Sequence, residues 1–371
     1  MLKINATQVK EGYSGVGVYS IKVIERLAKK FSSGVIYTCL NSFKDIPHSW
    51  QVKHVKIFDR DLIRWIWHHF IFSFKLSKKD VLYCPFSEAT IWFGGKLIIT
   101  VHDLMPLNFP EKHSAKLKYY YSNILLKNLK KAFSIIVISE TTKRDILKFF
   151  PEIDEGKINV IYNGYEKKVF NTDKDLMLID NFKKKHGLDK YILYVGRITK
   201  IKNVMCLIKA FSNIKDKTKC NLLIIGKDES GVMSEANDFI SNNSMQDRVR
   251  FIERLEETEV QYAFKGASLF IQPSLSEGFG LPAIEAMAGG IPCILSDIDA
   301  FREISSGAAL LFNPANENEL QEKILLLLNN ESLYNGYKEK GLKRSNDFDW
   351  DNTADEISKV INKALSDKNH K

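Results

Sequence analysis

Short apolar runs rich in Val, Ile, Tyr and Phe recur through the chain, separated by amphipathic stretches of helical period. That alternation is the rhythm of βαβ units and of parallel sheets. In the first half the runs predict strands at Leu2–Ala6, Val35–Leu40, Val55–Phe58, Val81–Cys84, Leu97–Val101, Ser134–Ile138 and Asn159–Tyr162. In the second half they predict strands at Tyr191–Val195, Asn221–Ile225, Val249–Ile252, Ser268–Ile271, Pro292–Leu295 and Ala309–Phe312. Helical period covers Val18–Lys30, Val204–Phe211 and Thr353–Leu365. The expected fold class is therefore α/β, with two doubly wound, Rossmann-like domains. The polar stretch Asn171–Lys190 reads as a linker leading into a first helix, and Ser366–Lys371 as a fraying tail.

Length agrees with this division: 371 residues are too many for one ordinary core and suit two domains. Hydrophobic residues at 44% and charged residues at 27% match a globular protein. No run reaches bilayer-spanning length, and Met1–Lys10 lacks the apolar core of a signal peptide, so a cytoplasmic placement is expected. Five scattered cysteines, Cys39, Cys84, Cys206, Cys220 and Cys293, have no metal-type spacing and read as small buried hydrophobes. The net charge of +9 is unevenly spread. Residues 1–170 hold 27 Lys and Arg against 15 Asp and Glu, whereas the remainder holds 27 against 30. A basic first half suits nucleic acid, anionic lipid or an acidic substrate.

The densest cluster of local signals is Ser274–Pro292. The apolar run Ala267–Gln272 ends at Pro273, and a glycine loop, Glu277, Gly278, Phe279 and Gly280, follows. Leu281 and Pro282 then open a helix that Gly289 and Gly290 close. A helix starting where glycines let the backbone approach a ligand presents free N–H groups and a positive dipole end, which favours an anion. Glu277 and Glu285 bracket the loop, and carboxylates accept hydrogen bonds from paired hydroxyls. An anion seat beside two hydroxyl readers suits a sugar nucleotide.

Glu277 and Glu285, with Gly-Phe-Gly-Leu-Pro between them, resemble the paired-glutamate signature of glycosyltransferase family 4, the retaining enzymes of GT-B fold. The resemblance implies two domains facing a central cleft: an acceptor-side domain over 1–172, onto which the carboxy-terminal helix 353–371 packs back, and a nucleotide-sugar domain over 188–350. It also implies that Glu277 contacts the donor sugar and that Glu285 binds the ribose hydroxyls.

Other candidates fall just after predicted strands, where open α/β sheets bind ligands. The loop Gly12–Gly17 is a weak dinucleotide fingerprint, with Ser20 in place of the third glycine, but it resembles the family's first-domain glycine loop. Gly15 and Gly17 are thus expected beside the donor. A buried strand ends in His102 and Asp103, where the family has a His near the reacting end of the sugar. The run His102-Asp-Leu-Met-Pro106 looks closest to bacterial polysaccharide mannosyltransferases. Gly196 and Arg197 follow another strand, with Lys202 before the next helix. Two cations at a helix start are misplaced unless an anion lies between them, and Arg197 and Lys202 resemble the family's diphosphate-binding pair. Gly226 closes a strand, and Arg254 with Leu255 falls where the family holds the base.

Two motifs have other readings. Asp297-Ile-Asp299 spells a metal-dependent pattern of another fold, but Ser296 with Asp297 reads as a helix-initiating loop, so no metal and no cofactor is expected. Arg60–Lys75 is aromatic with basic flanks and reads either as a core helix or as a membrane-surface face. The combined expectation is a retaining hexosyltransferase taking mannose from GDP-mannose to a lipid-linked surface glycan such as O-antigen or capsule. Its partners would be the nucleoside-diphosphate sugar, that acceptor and, peripherally, the anionic inner face of the cytoplasmic membrane, with no nucleic acid. Donors such as UDP-glucose or a rhamnose nucleotide, and a sugar-nucleotide epimerase of the same fold, are the alternatives.

Overall fold

The computed structural model describes residues 1–9, 15–40, 43–55, 71–170 and 176–367. It divides into two compact units, Met1–Gly164 with Trp350–Lys371, and Tyr165–Asp349.

The first unit is built on a seven-stranded, wholly parallel sheet in the order β3-β2-β1-β4-β5-β6-β7. Its strands are β1 (Leu2–Ala6), β2 (Gly34–Thr38), β3 (Trp50–His54), β4 (Val81–Cys84), β5 (Lys96–Val101), β6 (Ser134–Val137) and β7 (Ile158–Val160). The inner strands are apolar on both faces because helices cover both, as parallel sheets require. The others lie within two residues of the expected bounds, whereas β3 is displaced. It occupies Trp50–His54 rather than Val55–Phe58, of which 56–58 lie outside the described residues. As an edge strand it buries Trp50 alone and exposes Gln51, Val52, Lys53 and His54, so no apolar run announced it. Trp50 packs under Gly34, where a Cβ would come within 2.4 Å of its ring.

The first helix begins at Gly15, three residues earlier than the apolar period indicated, and buries Gly17, Tyr19, Val23, Ile24 and Leu27. Gly12–Ser14 lie outside the described residues, as do 60–70 of the aromatic stretch. The last helix, Trp350–Ser366, belongs to this unit and buries Trp350, Ala354, Ile357, Ile361 and Ala364, a stripe at helical spacing. Thr353 Oγ1 donates to the Tyr162 carbonyl at 2.7 Å, and Arg26 pairs with Asp351 at 2.7 Å.

The second unit has a six-stranded parallel sheet in the order β10-β9-β8-β11-β12-β13. The strands are β8 (Tyr191–Val195), β9 (Asn221–Ile225), β10 (Val249–Ile252), β11 (Leu269–Gln272), β12 (Cys293–Ser296) and β13 (Leu310–Phe312). Sequence order reverses between β8 and β11, which opens a crevice at their carboxyl ends. Much of the stretch expected as linker is a helix, Leu176–His186, which buries Phe182. Four cysteines are buried as expected, but Cys39 is exposed.

Candidate functional site

The crevice between β8 and β11 gathers most of the residues singled out in the second half. β8 runs into Gly196 and Arg197, then Lys202, before the helix Val204–Ser212. β11 runs into Ser274 and Glu277, before the helix Leu281–Ala288. Leu275 N–H donates to the Ile201 carbonyl at 2.8 Å, which ties the two loops together.

Across that tie, Lys202 Nζ lies 2.7 Å from Glu277 Oε2, with side chains 14% and 8% exposed. Gln272 Nε2 and Ser274 Oγ each donate to Glu277 Oε1 at 2.7 Å. Both oxygens of the carboxylate are therefore held. Tyr194, fully buried beneath, donates its hydroxyl to the Arg197 carbonyl at 2.9 Å. Burial first, and next the Glu277 charge, push its phenol well above the usual value, so it remains a donor.

Two glycine requirements shape the crevice. Gly196 and Gly226, at the ends of neighbouring strands, lie back to back, and a Cβ on Gly226 would meet the Gly196 carbonyl oxygen at 1.8 Å. Gly280 has φ +104°, and a Cβ there would sit 2.7 Å from the Phe301 ring.

The helix starts differ in how they are capped. Asp228 accepts from the amides of Ser230, Val232 and Met233, which fills the start of Val232–Asn242 with a carboxylate. Leu281–Ala288 begins after Gly280 and Val204–Ser212 after Asn203, neither with a side-chain cap. Asn203, at φ +55°, sends its amide to the Pro314 carbonyl instead. Two helix starts without side-chain caps thus flank the Lys202–Glu277 pair, the arrangement that favours an anion.

Some candidates lie differently from the sequence reading. Arg197, expected with Lys202 on either side of an anion, has its guanidinium 3.0 Å from Glu229 Oε2 and is half exposed. Phe279 buries its side chain against Phe348, ring centroids 5.7 Å apart, so only its backbone faces the loop. Gly278 and Leu255 are buried, Arg254 is exposed, and Leu281 and Glu285 are half-buried on one helix. Asp297 does not cap a helix: Asp299–Ser305 starts after Ile298 with no side-chain cap, and Asp297 pairs with Arg302 at 2.5 Å. Asp299 meets the same guanidinium at 3.5 Å, so an arginine occupies the Asp-x-Asp motif.

His102 and Asp103 follow β5 in the first unit. His102 is 7% exposed, and its Nε2–H donates to the Pro85 carbonyl at 2.8 Å, which leaves Nδ1 as the unprotonated nitrogen. Burial lowers its pKa and keeps the ring neutral. Tyr19 meets the ring edge-on at 4.7 Å, its hydroxyl within 3.0 Å of the Tyr83 hydroxyl and 3.3 Å of Thr100 Oγ1. Asp103 accepts from the Met105 amide at 3.0 Å, starting a short helical turn. Gly15 and Gly17 stand in the first turn of the Gly15–Lys30 helix, Gly15 exposed and Gly17 buried.

Gln272, Ser274, Glu229 and the Tyr19–Tyr83–Thr100 cluster were not among the candidate site residues read from the sequence. A glutamine ending an otherwise apolar strand was the one available signal for Gln272.

Residues 13–168 match the family described as Glycosyltransferase Family 4, and residues 179–344 match Glycosyl transferases group 1. An uncharacterized glycosyltransferase of Methanocaldococcus jannaschii is 30% identical over 275 residues, 73% of this chain and 69% of that protein. The chain belongs to the glycosyltransferases. Another relative is the O-antigen chain mannosyltransferase RfbU of Salmonella typhimurium, 31% identical over 226 residues. That match spans 61% of this chain and 59% of the relative's length. The fold of this glycosyltransferase is GT-B. It superposes on Anabaena Alr3699/HepE, solved in complex with UDP-glucose, with a TM-score of 0.80 at 16% identity, covering 98% of this chain and 99% of that one.

Proposed function

We propose that this glycosyltransferase moves mannose from GDP-mannose to a lipid-linked surface glycan, with retention of anomeric configuration. The observation that carries the reading is the Lys202–Glu277 pair at the β8/β11 switch point, between two helix starts without side-chain caps. Cleaving a sugar from a nucleoside diphosphate leaves a multiply charged anion. One cation about 4 Å from a phosphate oxygen supplies roughly 4 kcal/mol at an effective dielectric near 20, before desolvation. Lys202, Arg197 and the amides opening Leu281–Ala288 would supply that charge as preorganised electrostatics. Glu277 would then read sugar hydroxyls and Glu285 the ribose. Neither is left to act as a nucleophile, so the acceptor attacks from the leaving-group side and a donor phosphate oxygen takes its proton. Mannose is favoured by the similarity to an O-antigen mannosyltransferase.

The acceptor side of the proposal draws on the first unit. Phe74 is 90% exposed, Trp92 62% and Ile71 47%, and Lys75, Lys78 and Lys79 adjoin Phe74 in the chain. Ser73 and Thr90 hydroxyls at 2.5 Å join the two segments. Exposed aromatics among lysines suit an anionic lipid surface. Among the described residues no helix is long and apolar enough to cross a membrane.

Calorimetry with GDP, UDP and dTDP, followed by their sugars with and without a lipid-linked acceptor, tests the reading. GDP should bind, and mannose should leave GDP-mannose only when acceptor is present. Binding of UDP alone would replace the donor, and isomerisation without acceptor would replace the transferase with an epimerase.

A further inference from the structure

Gln272 and Ser274 converge on one atom. Gln272 closes β11 at 3% exposure, Ser274 is fully buried, and both donate to Glu277 Oε1, leaving Oε2 to Lys202. The amide cannot be turned over, because Gln272 Oε1 would then face a carboxylate oxygen, acceptor against acceptor. It keeps this orientation although its own Oε1 is buried with no hydrogen-bond partner, a state folded proteins usually avoid. The carboxylate, rather than the surrounding core, therefore dictates how Gln272 sits.

We infer that Gln272 and Ser274 are positioning residues that hold Glu277 still while Lys202 is transferred to the diphosphate of the donor. This rests on the nucleotide-sugar reading of the same site. Lys202 cannot give its full charge to both anions, and a diphosphate, the more highly charged, draws the ammonium away. A carboxylate stripped of the Lys202 ammonium at 8% exposure would swing towards water or follow the lysine unless something else held it. Two neutral donors fixed on Oε1 do so. Oε2, released by Lys202, then becomes an acceptor for a sugar hydroxyl, and each group that loses a partner in the exchange gains another.

The test uses the full chain with Gln272→Met, Ser274→Ala and Ser274→Thr, comparing thermal unfolding, GDP affinity and steady-state transfer from GDP-mannose. Gln272→Met deletes the donor together with the unpaired acceptor at similar volume, so its melting temperature should equal or exceed that of the wild type. GDP affinity should stay within about twofold, while kcat falls roughly 10- to 100-fold because only the carboxylate's placement is lost. Ser274→Ala should lower kcat in the same way, and Ser274→Thr, which retains the hydroxyl, should restore most of it. Unchanged kcat in both Gln272→Met and Ser274→Ala, or GDP affinity falling in step with kcat, overturns the positioning role and leaves the nucleotide-sugar reading standing. A wild-type protein that binds none of GDP, UDP or dTDP removes both. Should Gln272→Met fail to fold, the Ser274 pair decides.

Discussion

Lys202 and Glu277, distant in the chain, meet at 2.7 Å because β8 and β11 are neighbours in the sheet. Neither side chain is more than 14% exposed, so each is the other's main source of charge balance. Removing one partner of such a pair costs more than the pair contributes, since the survivor is left inside without compensation. Lys202→Met should therefore destabilise the protein by roughly 2–4 kcal/mol, and Glu277→Gln in that background should recover most of it. Urea unfolding of the two singles and the double checks this; strictly additive losses would show that the pair is uncoupled.

Glu285 and Lys202 should separate kinetically. Glu285→Ala is expected chiefly to weaken nucleotide binding, whereas Lys202→Ala lowers turnover more than affinity. Calorimetry with the nucleotide alongside steady-state kinetics distinguishes them, and the opposite pattern contradicts the assignment.

Gly226 is a steric requirement. A methyl group there meets the Gly196 carbonyl oxygen at 1.8 Å, backbone against backbone, so no rotamer relieves it. Gly226→Ala should cost at least about 3 kcal/mol, seen as a large fall in melting temperature. Gly187→Ala, where φ is +64° but no heavy atom lies within 4 Å, should cost less, about 1–2 kcal/mol.

His102 carries a pH dependence. Burial lowers its folded-state pKa below the value near 6.5 of an unfolded imidazole. The unfolded chain therefore binds the extra proton first as pH falls. Stability from this group is complete above about 6.5 and declines below it, by up to about 1.4 kcal/mol per pH unit, until the folded ring also titrates. His102→Gln should flatten that slope, measured as unfolding free energy between pH 7 and pH 5; an unchanged slope would assign the dependence to other groups.

The aromatic edge of the first unit should report membrane contact. Phe74→Ser with Trp92→Ser should reduce sedimentation with vesicles containing phosphatidylserine, with little change in melting temperature, because both side chains are already exposed. Binding to anionic vesicles that is indifferent to both residues would move the contact elsewhere.

The apolar runs by themselves determined that this chain forms two parallel α/β sheets, because a strand covered on both faces must be apolar throughout and a helix beside it must be amphipathic. Strands β4, β8, β9 and β10 have the very bounds that those runs indicate. The glycine loop before Leu281–Ala288 was equally legible, since turn chemistry and helix starts are local. Tertiary structure alone decided the partners. Arg197 meets Glu229, and Lys202 reaches Glu277 because of strand order, which no local pattern encodes. The same holds for β3, whose edge position lets it be polar, and for Gln272, whose single polar amide at the end of an apolar strand gains its meaning only from the carboxylate folded back against it. Periodicity is set by what each residue must hide from water, whereas an ion pair or a hydrogen bond is set by which elements the sheet brings side by side.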